Sequence, residues 1–219
     1  MPNIYSTNTG DGIMGHSNVT DWATSRDATT ALYLYPAYSS FFSSIRARNW
    51  AARGGSSARY VHRSFFSFDT SGISVTPASA YLNIHGYSNG TADLFVVRGT
   101  QERANDGDDF DSISGWSAGV DNEGNVTKYS SEITTWDTAD YNTITLNATA
   151  LGFMSSLDIF SVCLIESVHD LRNVEPTANA DFESGCYFTD ESGTSKDPYI
   201  DYTAGTAVTE NAIFFGSNF

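Results

Sequence analysis

Apolar and polar residues alternate over short stretches of this chain, with a period of two rather than the longer helical repeat. The clearest stretch is Tyr60-Val-His-Arg-Ser-Phe-Phe-Ser-Phe-Asp69. In an extended chain Ser64, Phe66 and Phe68 point one way and Phe65 and Ser67 the other, because side chains alternate along a strand. Turn formers follow at Asp69-Thr-Ser-Gly72, and then a second alternating run, Ser79–Tyr87, with Ala80, Leu82 and Ile84 on one face. Two such runs joined by Gly, Ser and Pro predict neighbouring strands of an antiparallel sandwich.

The rest of the chain repeats the theme. Asn3-Ile-Tyr5 reads as a short strand, and the following residues to 30 read as loops. Residues 31–38 predict a strand ending near Pro36, or one at an edge. Residues 39–59, rich in Ser, Ala, Arg and Gly, predict an insertion, either a long loop or a brief helix broken by Gly54-Gly55. Ala92–Gly99 suits a core strand, and residues 100–128 form a long polar, acidic loop of the kind that is functional or hides a short helix. Residues 141–147 alternate with Ile144 and Leu146 inward, and residues 148–156 predict a helical turn or crossover. Asp158–Glu166 is the most apolar strand and belongs in the centre; 185–190 and 198–202 complete the set. The expectation is all-β: one antiparallel jelly-roll-like β-sandwich over residues 1–205, with an aromatic docking tail at 206–219.

Composition agrees: the chain has 14 Phe, 12 Tyr and 18 Gly, a strand-and-turn vocabulary. No apolar run is long enough to span a bilayer as a helix, so no membrane partner is expected. The start, Met-Pro-Asn-Ile-Tyr-Ser, lacks the basic and apolar segments of a signal peptide. Cys163 and Cys186 lie in strand-like runs without metal spacing, which predicts buried thiols ahead of a disulfide.

The net charge is −15, which argues against nucleic acid as a partner, since that needs phosphate neutralisation. The first 63 residues nonetheless contain all six of Arg26, Arg46, Arg48, Arg53, Arg59 and Arg63 and only three Asp. Arg46, Arg48, Arg53 and Arg59 bracket Trp50. Arginine with an aromatic and no lysine has the composition of a protein interface, here one facing an acidic surface or the acidic body of another copy. The tail supplies Phe214, Phe215 and Phe219 as further partner-binding candidates, because exposed phenylalanines seek cover.

Four scattered histidines give no zinc spacing, nor is a nucleophile elbow recognised, so no catalytic residues and no enzymatic activity are expected. Asp106, Asp108, Asp109 and Asp111 are oxygen donors without the full calcium-loop pattern; they are the weak metal candidates and leave calcium as the one cofactor still open. Asp11 is a weaker candidate of the same kind. Trp22, Trp116 and Trp136 fall in loops or strand ends, where an indole can serve as a platform for a sugar ring.

The order of blocks resembles a known family. Arg-Ser-Phe-Phe-Ser-Phe-Asp-Thr-Ser-Gly-Ile precedes Ala-Tyr-Leu-Asn-Ile; later come Ile-Thr-Leu-Asn-Ala-Thr-Ala-Leu, Phe-Ser-Val-Cys-Leu-Ile-Glu and Pro-Tyr-Ile-Asp-Tyr. Over roughly residues 3–203 this is similar to DNRLRE-type jelly-roll domains, which group with some carbohydrate-binding modules of extracellular proteins. Stand-alone copies with an aromatic C-terminus resemble virion proteins of tailed bacteriophages, which leave the cell by lysis. The resemblance implies a non-catalytic virion structural protein, either a capsid decoration protein or a tail- or fibre-associated one. It would be made in the host cytoplasm and would contact other virion proteins or copies of itself as an oligomer. The alternative it implies is an extracellular carbohydrate-binding module whose partner is a surface glycan.

Overall fold

A computed structural model describes residues 2–7, 9–18, 20–35, 44–51, 57–101, 105–189 and 193–206. The strands are β1 (Asn3–Tyr5), β2 (Gly12–Asn18), β3 (Tyr33–Tyr35), β4 (Ile45–Ala51), β5 (Ser57–Asp69), β6 (Ser79–Gly90), β7 (Leu94–Arg98), β8 (Tyr141–Thr145), β9 (Ile159–Glu166), β10 (Asp181–Cys186) and β11 (Tyr199–Thr203). Two short helices accompany them, α1 (Trp22–Arg26) and α2 (Ala148–Met154), each started by a side-chain cap: Asp21 for α1 and Asn147 for α2. All strand pairs are antiparallel, so the protein is all-β and sandwich-like.

Two leaves share β6. Its first part, Ser79–His85, lies between β11 and β8, and β1 extends that leaf beyond β11. Its last part pairs with β10, across a register shift at Ser184/Gly185, and leads into the second leaf, β10-β4-β5-β2-β3. β5 is the spine of the second leaf. It pairs with β4 through Ser57–His62, with β2 through Arg59–Phe65 and with β9 through Ser64–Asp69, and β9 then holds β7. Val61–Phe68 are consequently buried on both faces of the strand.

One face of β5, carrying Phe66 and Phe68, packs with Leu82, Ile84, Ile144, Phe160, Phe188 and Ile200 in the interior between the leaves. Each fully buried Phe contributes roughly 1.5–3 kcal/mol. The opposite face, carrying Val61 and Phe65, forms a second core with Met14, Trp22, Phe95, Phe110, Ile113 and Leu171. That core is roofed by α1, by the segment 105–128 and by a π-helical turn at Ser167–Leu171.

Four sequence expectations need correction. The runs at 60–69 and 79–87 are not neighbours but lie in different leaves, bridged by other strands. Residues 45–51 are neither loop nor helix but strand β4, whose polar alternation suits a region of the leaf with ion-paired side chains. The loops expected before residue 30 contain β2 and α1. Gly15 explains why β2 is hard to see: it replaces an apolar residue where a Cβ would lie 2.8 Å from His62 Cδ2. The tenth strand begins at Asp181, ahead of the expected 185. Strand β9 is central and Cys163 and Cys186 are free and buried, as predicted; the two thiols belong to different cores. Burial pushes both thiols up, Cys186 to about 12, which makes them poor nucleophiles.

Candidate functional site

The arginine face comes first. Arg46 and Arg48 alternate along β4, and Asp181 and Glu183 alternate along β10 directly opposite them. Arg46 grips Asp181 with Nε and Nη2 at 2.9 and 2.5 Å and reaches Glu183 at 3.2 Å; Arg48 meets Asp181 at 3.2 Å. Arg59 donates to Glu175 at 2.9 Å. The acidic surface expected of a partner is thus supplied by the same chain. The matching two-residue spacings, 46/48 and 181/183, were the signal for it. Trp50 remains 38% exposed, with the Arg48 guanidinium 5.6 Å from its ring. Arg53 and the tail residues Phe214, Phe215 and Phe219 lie outside the described residues.

The other candidates separate sharply. Trp22 is 5% exposed and belongs to the second core, so it offers no platform. Trp116 is half-buried, with the guanidinium carbons of Arg26 and Arg63 at 4.4 and 4.1 Å from its ring. Those two arginines are fully buried. Arg63 holds Asp170 in a bidentate grip at 2.8 and 2.7 Å and donates to the carbonyls of Phe110 and Arg26. Arg26 donates to the carbonyls of Asp170 and Val120 and to Asp27. Glu166, its own carboxyl pushed up to about 7 by burial, accepts the N–H groups of Val168, His169 and Asp170 and so shapes the π turn that presents Asp170. The cluster staples the long loop to the leaf.

The acidic run is used locally. Asp106 and Asp109 cap a 3-10 turn reciprocally, Asp108 accepts from Thr30 and Asp109 also accepts from Ser112. Burial raises the Asp111 carboxyl. Among the described residues no three His, Cys, Asp or Glu side chains converge as metal ligands. Asp11 is buried and accepts both the N–H and the hydroxyl of Thr189. Contrary to the expectation that the chain has no nucleophile elbow, Gly115-Trp-Ser-Ala-Gly119 has the spelling of one. It lies in irregular chain rather than at a strand-to-helix turn, and no described histidine hydrogen-bonds Ser117, whose N–H goes to Asn122.

Trp136 is the candidate that lines a concavity. A groove of about 740 Å³ runs between β8 and the segment 130–137, within the range of small-molecule sites. Its origin is a parting of two chain segments. At one end Asn147 N–H donates to Tyr129 C=O at 2.9 Å; at the other, Asn142 clamps the Asp137 backbone, accepting at 2.8 Å and donating at 2.9 Å. Between these ties, residues 130–136 turn away to the other leaf, where Ile133 exchanges both backbone bonds with Leu94 of β7.

Both walls therefore present backbone. On β8 the bonds Leu146 N–H to Ala80 C=O and Gly86 N–H to Asp140 C=O fix the even-numbered residues toward β6. Alternation then turns the N–H and C=O groups of Thr143 and Thr145 into the groove. Across from them Glu132 and Thr134 flank Ile133 and face the same way. Ile133 and Ile144 add apolar surface, Ser131, Thr134, Thr135 and Thr145 add hydroxyls, and Trp136 forms part of the wall, anchored by its Nε1–H to Gly185 C=O at 2.9 Å. Glu132 is kept ionised below the usual carboxylate range by Ser167 and Arg172.

Tyr141 belongs to the groove and also to a ladder of rings on the first leaf. It meets His85 at 5.1 Å and Tyr199 at 5.2 Å; His85 meets Tyr187 at 5.3 Å, and Tyr187 meets Tyr87 at 5.0 Å. The alternating His85 and Tyr87 hinted at it, but only the pairing of β8 and β11 with β6 brings Tyr141 and Tyr199 alongside.

A scan against protein-family models finds no match, and a search of curated proteins finds no relative. What stands is the class defined by the fold: an all-β antiparallel sandwich-like protein with a polar groove along one open strand edge.

Proposed function

We propose that this protein works by binding, without catalysis, as a carbohydrate-binding β-sandwich whose ligand sits in the groove beside β8. The carrying observation is the composition of that groove: Trp136 in its lining amid Ser and Thr hydroxyls and outward backbone groups. A sugar ring needs this mixture, an apolar face to stack on and donors and acceptors for its hydroxyls. The resemblance of the sequence blocks to DNRLRE-type jelly-roll domains, which group with carbohydrate-binding modules, is part of the reading. In a glycan-binding screen the wild type is expected to retain a soluble polysaccharide, and Trp136→Ala to weaken retention at least tenfold, while Trp50→Ala leaves it unchanged. A full-affinity Trp136→Ala protein would remove the reading.

A second role for the same chain, as a capsid decoration or tail- or fibre-associated protein of a bacteriophage, is favoured by Trp50. It is exposed beside Arg48 at the end of β4, a surface suited to contact with another virion protein or another copy. The two readings are compatible, since a tail-associated module that binds a host-surface glycan would satisfy both. Co-sedimentation with particles through a salt wash, lost in Trp50→Ala, is the outcome this second role requires.

A further inference from the structure

We propose that the groove selects an uncharged polysaccharide, whose chain lies along the open edge of β8 and continues over Tyr141 onto the tyrosine ladder. The inference rests on the carbohydrate-binding reading above and names the ligand class of that site. Three observations carry it.

The first is charge. The residues lining the groove include the acidic Glu132 and Asp137 and no lysine or arginine. Arg172, which reaches Glu132 of the lining at 3.3 Å, is also committed to Glu123 at 2.7 Å. The whole chain is at −15. In the groove itself a polyuronate or a sialylated chain would meet Asp137 and the Arg172-paired Glu132 but no lysine or arginine of the lining, within a screening length of about 8 Å at physiological salt; Lys196 lies beyond, over the Tyr187 ring. Uncharged hydroxyls meet no such barrier.

The second is the kind of group on offer. The N–H and C=O groups of Thr143 and Thr145 alternate donor and acceptor along an edge that no described strand covers. A hydroxyl both donates and accepts, so a row of sugar hydroxyls can answer such an edge in either sense. The edge is short, tied off at Asn147 and at Asn142, which leaves little length for a peptide strand to pair in register.

The third is continuity. Tyr141 closes one end of the groove and starts the ladder through His85 to Tyr187 and Tyr87, each ring partly exposed. A polymer leaving the groove there passes over the partly exposed rings of Tyr141 and His85 toward Tyr187, where the Lys196 ammonium at 3.9 Å from the ring adds a hydroxyl-binding donor, whereas a short oligosaccharide ends before it.

The test is affinity electrophoresis of the full chain in gels containing mannan, galactomannan or mixed-linkage glucan, set against alginate and polygalacturonate. Retardation by at least one uncharged polymer and by neither polyuronate is expected. Thr134→Arg, an exposed substitution that fills the groove without touching the core, should abolish it, with Trp136→Ala as the companion variant. Tyr187→Ala should weaken binding of the polymer severalfold and leave a short oligosaccharide of the same sugar unaffected. Retardation by polyuronates alone, lost in Thr134→Arg, overturns the ligand class and leaves the carbohydrate reading standing. Retardation by uncharged polymers that survives both groove substitutions overturns the site. No retardation by any polysaccharide removes the reading and the inference together.

Discussion

Asp170→Asn unfolds this protein more readily than any other single substitution considered, by about 3–5 kcal/mol, the range for breaking one side of a buried ion pair. Asp170 is fully buried, and its carboxylate answers Arg63 at 2.7 Å while lying 3.9 Å from Arg26. The amide keeps the shape but leaves two buried guanidiniums with Asp27 as the remaining carboxylate partner of either, at the rim on Arg26. Desolvation of a charge without its partner is what makes the change costly. In urea titration the midpoint falls at unchanged slope, and the melting temperature drops on the order of 10 °C. A loss below about 1 kcal/mol would show that the pair does not hold the roof in place. Glu166, beside it, adds a pH signature. Burial raises its folded value from 4.5 to about 7. A carboxyl raised in the folded state contributes stability fully below its unfolded value, and that contribution is lost as pH rises through the folded one. Stability from this group therefore declines between about pH 4.5 and 7, and Glu166→Gln flattens that slope.

Gly86→Ala is the second severe change. At Gly86 the strand β6 passes from one leaf to the other, and the Asp137 carbonyl packs directly over it: a Cβ would stand 1.7 Å from that oxygen. The neighbour is backbone, tied by Asn142 from two sides, so it cannot swing aside like a side chain. The strain is expected to cost about 3 kcal/mol, the upper end for overpacking, and to shift Trp136 fluorescence because Trp136 precedes the displaced residue. Gly72→Ala, where a Cβ meets nothing within 4 Å, is the control and should melt like the wild type. Equal melting temperatures for the two variants would contradict the close approach.

Much of the fold was readable because burial on one face leaves a period of two. Residues 141–147 show it, whereas 158–166 and the phenylalanine run of β5 were legible as near-continuous apolar stretches, the mark of strands buried on both faces. What escaped has physical reasons. β4 is polar because its side chains find carboxylates on β10, a partner more than 130 positions away that no local window contains. The two phenylalanine faces of β5 signalled burial on both sides, yet nothing nearby announced that a polar loop would supply the second core. The roof is held by Arg26, Arg63 and Asp170, residue types that composition assigns to the surface. The groove was hardest to see, being made by two segments that part rather than by a motif. Trp136 pointed to it, whereas Trp22 and Trp116, chosen on the same grounds, serve the core and the staple.

The position of β5 also governs how the chain can be made. Emerging early, it has β2 and β4 available beside it but must wait for β9 at residues 159–166, and β6 waits longer for β10 and β11. Even β1, the first of the described strands, finds its strand partner in β11, the last of them. The second core waits for Leu171 and the first for Ile200, which places this protein among slow folders with many non-local pairings. Until then the phenylalanines of β5 are exposed to other nascent chains, a stage at which aggregation competes with folding. A chaperone that shields the first half of the chain during synthesis is thus expected to raise its soluble yield more than lowering the temperature of a finished, purified sample would.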